Sequence, residues 1–230
     1  VRMFNEYFPP YKAAVDAGLK TVMTSFNTLN GIPSSGDKYL LTDVLKKKWG
    51  FNGFVVSDWA SIREMIPWGY SKDHKAAGKL AVEAGTDMDM EGGAYVPHLI
   101  ELVKSGKVDQ KYVDESVRRI LRVKYELGLF DNPYRFLDEK REKETIGSKA
   151  NMEAVLDMAK KSIVLLKNDK NLLPLKKSGQ KIALLGDLAE SKNSPLGSWR
   201  GMAEDNSAVS VLEGMKNYKG NSLSFAKGPN

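Results

Sequence analysis

Three short strand-like runs separated by helical patterns constrain the fold of the first half of this chain more than any other feature. The runs are TVMTSF (21–26), FVVSDW (54–59) and TDMDM (86–90). Leu40, Leu41, Val44 and Leu45 share one helical face, as do Ala76, Ala77, Leu80, Ala81 and Ala84. Val113, Val117, Ile120 and Leu121 form the stripe of a later helix. Strands that alternate with helices predict βαβ units on a parallel sheet. KAAVDAG and KLAVEAG both end in Ala-Gly before a strand, so Gly18 and Gly85 read as equivalent helix C-terminal glycines. Repeated βα units of this kind build a (β/α) barrel.

The chain changes character after GLFDNPY. Residues 131–148 are charged, contain Pro133 and keep no steady period, which predicts a linker between a first unit (1–130) and a second (149–230). In the second unit a helical pattern (152–162), the runs IVLLKN and LLPL, a strand over 181–186 and a strand candidate in SLSFAKG read as α/β again. Only three strands precede the linker, whereas a barrel needs eight. The expected fold is therefore α/β: the C-terminal part of a (β/α)8 TIM-like barrel, a linker, then a separate α/β domain. The opening at Val1 and the close at AKGPN, where another element begins, read as a piece of a longer chain.

Composition removes several function classes. There is no cysteine, which excludes disulfide scaffolds, thiol nucleophiles and cysteine metal sites. The 35 Lys and Arg against 29 Asp and Glu give a net charge of +6. The basic residues are interleaved with acids, as in DEKREKET, and no basic face carries interleaved aromatics, so nucleic acid is not an expected partner. The tight cluster Lys46, Lys47 and Lys48 closes a helical pattern, where cations suit the helix dipole. No run is long and apolar enough to span a bilayer, so no membrane partner is expected. VRMFNEYFPP carries no signal-peptide pattern.

Asp58 closes the FVVS run. In a (β/α) barrel the reacting groups sit at the C-terminal ends of strands. A carboxylate there serves as nucleophile, general base or metal ligand. Trp59 beside it offers a flat apolar face, on which the C–H faces of sugar rings pack. The pattern suits a glycosidase. It equally suits a helix cap at Asp58 for a helix starting near Ala60, with Trp59 as packing.

SFNTLNGIPSSGDKYLLTDVLKKKWGFNGFVVSDW resembles the second half of the catalytic barrel of glycoside hydrolase family 3, in particular its bacterial periplasmic β-glucosidases. PPYKAAVDAG, AGTDMDM, VKYELGLFDNPY, SIVLLKN, LLPL, GSW and AKG follow in the family's order, so the likeness runs nearly the whole length. The resemblance implies that the second domain is the first part of an α/β sandwich. It implies a retaining mechanism in which one carboxylate attacks the anomeric carbon and an acid protonates the leaving oxygen. It places the nucleophile at Asp58 and Trp59 on the leaving-group side. Met23 matches a position near the sugar pocket, Phe26 one close to the nucleophile, and Met88 and Met90 the paired methionines after the last barrel strand. Trp199 matches a second-domain loop that reaches toward the pocket, and Trp59, Met23, Phe26, Met90 and Trp199 are the implied substrate contacts. Barrel core packing, or for Trp199 a buried anchor, is the alternative for each. Phe26 stands where several relatives carry a Tyr, and Phe cannot donate a hydrogen bond to the carboxylate.

The implied substrate is a β-linked oligosaccharide or an aryl or alkyl β-glycoside, with no cofactor and no metal. β-Xylosidase, β-N-acetylglucosaminidase and a non-catalytic carbohydrate-binding remnant are the competing readings. The full-length protein is implied to be periplasmic or secreted. The family's early segment, with an Arg and a Lys-His pair on the sugar hydroxyls, has no counterpart here, and its acid/base Glu lies beyond the last strand. Glu204 and Asp205 in GMAEDN match no acid position and read as loop carboxylates. The chain is therefore expected to need further parts of its own protein to complete the barrel, and to be inactive alone.

DMDMEGG also invites a metal, because Asp87, Asp89 and Glu91 alternate along a strand. An EF-hand loop would need Glu where His98 stands, and the flanks are strand-like. With only His74 and His98 present, zinc or Ser-His-Asp chemistry has few candidates.

Overall fold

The structure, a computed structural model, describes residues 1–228. The chain forms two compact units, Val1–Glu144 and a second from Thr145 onward. In the first, helix α1 (Phe8–Asp16) leads through Gly18, at φ 92°, into strand β1 (Thr21–Met23). A small antiparallel hairpin follows, β2 (Thr28–Leu29) with β3 (Ile32–Pro33). Its two turn residues, Asn30 and Gly31, both have positive φ (53° and 83°), the Asn-Gly solution for a two-residue turn that matches strand twist. A tight turn Ser34–Gly36 and a ten-residue helix Tyr39–Lys48 come next. That helix is π-wound: the Trp49 N–H bonds Val44 O, five residues back, at 3.0 Å.

Strand β4 (Phe54–Val56) pairs in parallel with β1, at Thr21–Phe54, Val22–Val55 and Met23–Val56. On its other side Val56 pairs in parallel with Met88. β4 is therefore the middle of three parallel segments. Gly53 admits it: a Cβ there would lie 2.0 Å from Lys20 O, the acceptor of the Phe54 N–H. Helices α2 (Ser61–Glu64), α3 (His74–Ala84), α4 (Leu99–Lys104) and α5 (Gln110–Glu126) follow. Ile62, Met65, Ala77, Ala81, Val82, Leu102 and Val108 form one core cluster. Leu41, Leu45, Phe51 and Val55 form another, beneath β4. Gly85, at φ 108°, ends α3 in the left-handed conformation expected of it.

Several expectations shift. The segment 86–90 makes one bridge, not a strand, because Asp89 turns the chain: its carboxylate accepts the N–H groups of Gly92, Ala94 and Tyr95. On α5 the stripe is displaced. Val117 and Leu121 are exposed, and Ser116 and Val123 are buried instead. Polar bonds set that rotation: Ser116 Oγ donates to Asp87, and Arg119 donates to the carbonyls of Phe51 and Gly53. Within 131–148 the chain forms a short helix, α6 (Glu139–Thr145).

In the second unit Ser148 caps helix α7 (Lys149–Ser162) through the Asn151 N–H. Strand β5 (Ser178–Leu185) pairs in parallel with β6 (Gly220–Ala226), and helix α8 (Val211–Lys216) precedes β6. Ile182–Leu223 and Leu184–Phe225 lie in register on the half-buried face, with exposed residues alternating between them. The run IVLLKN joins no strand, and Ile163, Val164, Leu165 and Leu166 are exposed.

Candidate active site

Side-chain alternation along β4 sorts the opening motif into two faces. Val55 and Ser57 point into the protein and are fully buried. Phe54, Val56 and Asp58 occupy the other, half-open face. On that face Met23 and Met88 flank Val56 in register, 50% and 43% exposed. Asp58 thus stands at the C-terminal end of the central strand, two residues past a row of apolar side chains.

The carboxylate does not cap α2. The residue before α2 is Ala60, in the left-handed region at φ 59°, and it contributes no side-chain bond. Asp58 Oδ1 instead accepts the N–H of Trp59 at 2.6 Å. That short local bond engages one carboxylate oxygen, Oδ1.

The backbone of Asp58 is held by hydroxyls. Its N–H donates to Thr24 Oγ1 at 3.3 Å, and its carbonyl accepts from Ser57 Oγ at 2.9 Å and from the Ser61 N–H at 3.1 Å. Ser57 Oγ also accepts the Met90 N–H at 2.8 Å, and Met90 O accepts the Ala60 N–H at 2.7 Å. Met90 is thereby tied to both flanks of the Asp58-Trp59 peptide. Behind it lies a cluster of buried hydroxyls: Ser35 Oγ is 2.7 Å from Thr24 Oγ1 and 2.7 Å from Ser61 Oγ.

Trp59 is 51% exposed and is not a core anchor among the described residues. Phe26 is half-buried in the bend that follows β1. Trp199 belongs to the second unit and is exposed there, so it is not a buried anchor of that unit. Its loop is built by Asn193 Oδ1, which accepts from Arg200 and from the Asn206 N–H, and by an Arg200–Asp205 ion pair.

The acidic run 87–91 is divided among separate tasks. Asp87 is buried and paired with Lys46, whose Nζ lies 2.7 Å from Oδ1 and 2.8 Å from Oδ2. Asp89 holds its own loop. Among the described residues, no three His, Asp or Glu side chains converge as metal ligands. Lys46 is not the solvated helix-end cation that its sequence neighbours Lys47 and Lys48 suggest, because its side chain turns inward to Asp87. Sequence reading missed this pair and the hydroxyl cluster. A signal existed for part of it: Thr24 and Ser57 fall on the inward face of their strands by simple alternation from Val22 and Val55. The Asn-Gly hairpin, also missed, is what folds Ser34 and Ser35 back onto β1.

Comparison with known proteins gives this geometry its context. Residues 1–123 match the Glycosyl hydrolase family 3 N terminal domain. The chain belongs to glycoside hydrolase family 3. Residues 163–227 match the C-terminal domain of the same family. Over its whole length the chain is 43% identical to a periplasmic beta-glucosidase of Salmonella typhimurium, of which it covers 30%. It is 34% identical to a beta-xylosidase of Formosa agariphila, with 99% of this chain and 33% of that protein covered. The crystal structure of a beta-glucosidase from Listeria innocua in complex with glucose superposes with a TM-score of 0.79 at 35% identity, over 98% of this chain and 31% of that one. The chain thus spans about a third or less of these relatives' lengths. It is an α/β chain of that family, and no helix among its described residues is long and apolar enough to cross a membrane.

Proposed function

We infer that the protein carrying this chain is a retaining β-glycosidase with Asp58 as nucleophile. One observation carries the reading: in a family 3 chain, Asp58 ends the central parallel strand on its open face, with its carboxylate uncommitted to any helix cap. The Trp59 N–H orients the carboxylate through Oδ1, and a carboxylate oxygen is the attacking atom. It bonds to the anomeric carbon as the bond to the leaving oxygen breaks, and a general acid delivers a proton to that oxygen. Water then attacks the glycosyl ester, deprotonated by the same acid/base group, and Asp58 is released. The two carboxyl groups of such an enzyme stand about 5–5.5 Å apart. We assign the acid/base role to neither Glu204 nor Asp205, since the two match no acid position of the family and Asp205 is held by Arg200.

Met23, Phe26, Met88 and Met90 supply apolar contacts to the sugar ring, and Trp59 contacts the leaving-group side. Residues 1–130 are the C-terminal part of a TIM-like barrel, 131–148 a linker and the remainder the first part of an α/β sandwich. The substrate is a terminal β-D-glucoside, in line with relatives named beta-glucosidase and with one solved in complex with laminaribiose. A β-xyloside is the second reading, because several relatives are named beta-xylosidase. A periplasmic location follows the naming of the Salmonella relative.

The test uses the full-length protein and a 2-deoxy-2-fluoro-β-glucoside with a 2,4-dinitrophenyl leaving group. Peptide mass spectrometry is expected to find the fluorosugar on the peptide containing Asp58. A label on any other peptide overturns the assignment. The ratio of kcat/KM for aryl β-glucoside and β-xyloside decides the sugar.

A further inference from the structure

We propose that Thr24 is a positioning residue for Asp58, acting through its hydroxyl as the end of the buried cluster Thr24–Ser35–Ser61. The inference rests on the reading of Asp58 as nucleophile. Asp58 lies one residue beyond the last ladder bond of β4, the Ser57 N–H to Met88 O at 2.9 Å. From there the sheet no longer holds the chain. Thr24 Oγ1 accepts the Asp58 N–H in place of a neighbouring carbonyl. The backbone of Thr24 is itself fixed, because its N–H donates to Val56 O at 2.9 Å.

The Thr24 hydroxyl is anchored from behind. Accepting from Asp58 leaves the Thr24 proton free to donate to Ser35 Oγ, and Ser35 in turn to Ser61 Oγ, each at 2.7 Å. All three side chains are buried, at 4%, 1% and 1% exposure, so water does not compete for these bonds. The cluster joins the end of β1, the turn after the β2–β3 hairpin and the start of α2. Ser61 closes it, since its N–H donates to the Asp58 carbonyl. Both peptide groups flanking the nucleophile are therefore referenced to one buried object. A nucleophile misplaced by a fraction of an ångström forfeits rate rather than binding.

The experiment measures kcat and KM of the full-length protein on an aryl β-glucoside for Thr24→Val, Thr24→Ser and Ser61→Ala, alongside fluorosugar labelling. Tyr95→Phe serves as a stability control. It removes another buried hydroxyl bond, Tyr95 Oη to Thr86 O at 2.6 Å, which contacts neither Asp58 nor the three cluster hydroxyls, since Thr86 reaches Ser35 only at its backbone carbonyl. Thr24→Val and Ser61→Ala are expected to lower kcat about tenfold with KM nearly unchanged. Thr24→Ser restores kcat, and Tyr95→Phe lowers Tm without lowering kcat. Wild-type kcat in Thr24→Val, or an equal kcat loss in Tyr95→Phe, overturns the proposal while labelling at Asp58 leaves the nucleophile assignment standing. If Thr24→Val does not fold, wild-type kcat in Ser61→Ala overturns it equally. A label elsewhere than Asp58 removes both.

Discussion

Lys46 Nζ lies 2.7 Å from Asp87 Oδ1, and the two side chains are only 10% and 1% exposed. The same ammonium donates to Gly85 O, while Asp87 also accepts the Val55 N–H and the Ser116 hydroxyl. This pair joins the π-wound helix, β4, α5 and the segment that follows α3. Burial pulls the Lys46 ammonium below its ordinary value, and Asp87 opposes that pull by charge and hydrogen bonding. Removing one partner therefore strands a buried charge. Asp87→Asn is expected to destabilise the protein by about 3–5 kcal/mol in urea unfolding. The double variant Lys46→Met, Asp87→Leu recovers part of that, and the Val55 N–H left without an acceptor keeps the recovery incomplete.

Gly53 touches the same strand from its other end. A Cβ at this position would meet Lys20 O at 2.0 Å and Lys20 C at 2.6 Å, both of them backbone. Relief requires β4 to move off β1. Gly53→Ala is expected to lower stability by about 1–3 kcal/mol. It also speeds hydrogen exchange at the Phe54 amide, whose acceptor is Lys20 O.

Asp58 is expected to separate stability from activity. Its carboxylate makes one local bond, to the Trp59 N–H, and ties no two elements together. Asp58→Asn is expected to leave the unfolding free energy within about 0.5 kcal/mol of wild type. In the full-length protein it lowers hydrolysis by about 10³-fold or more. Trp59, half-exposed beside it, is expected to be similarly neutral to stability on substitution by Ala, with KM raised about three- to tenfold.

Glu213 carries a pH signature in the second unit. It completes a capping box with Ser210: its carboxylate accepts the Ser210 N–H at 3.1 Å, and Ser210 Oγ accepts the Glu213 N–H at 3.1 Å. The Ser210 backbone bond, and then Lys192, hold its carboxyl below the ordinary glutamate value. A lowered folded-state value means that the unfolded chain takes up the proton first. The cap's contribution is therefore full above the ordinary glutamate range and is lost as pH falls through the lowered value. The protection factors of the Ser210 and Glu213 amides, corrected for the intrinsic pH dependence of exchange, are expected to fall over that window, and Glu213→Gln flattens the response.

Much of the scaffold was legible in residue order. Alternation of apolar runs with helical faces marked the parallel segments, and Ala-Gly endings marked two helix ends. Both follow from local periodicity and backbone sterics, which a chain carries in its sequence. Asp58 was visible as a carboxylate at a strand end, and the quoted motifs tied it to a family of glycosidases. Sequence alone left its duty open between cap and nucleophile, because both need the same residue in the same place.

Only tertiary structure decided the rest. Lys46 and Lys47 are adjacent in sequence, yet one is sealed against Asp87 and the other pairs with Asp43 in solvent. The face of α5 that turns inward carries the polar bonds of Ser116 and Arg119 beside half-buried Val113 and Ile120, while Val117 and Leu121 of the apolar stripe stay exposed. Thr24, Ser35 and Ser61 are 11 and 26 residues apart along the chain and within 2.7 Å of one another pairwise through Ser35. Pairings of that kind depend on which buried polar groups find each other once water is excluded. That selection operates in the packed interior and leaves no periodic trace in the order of residues.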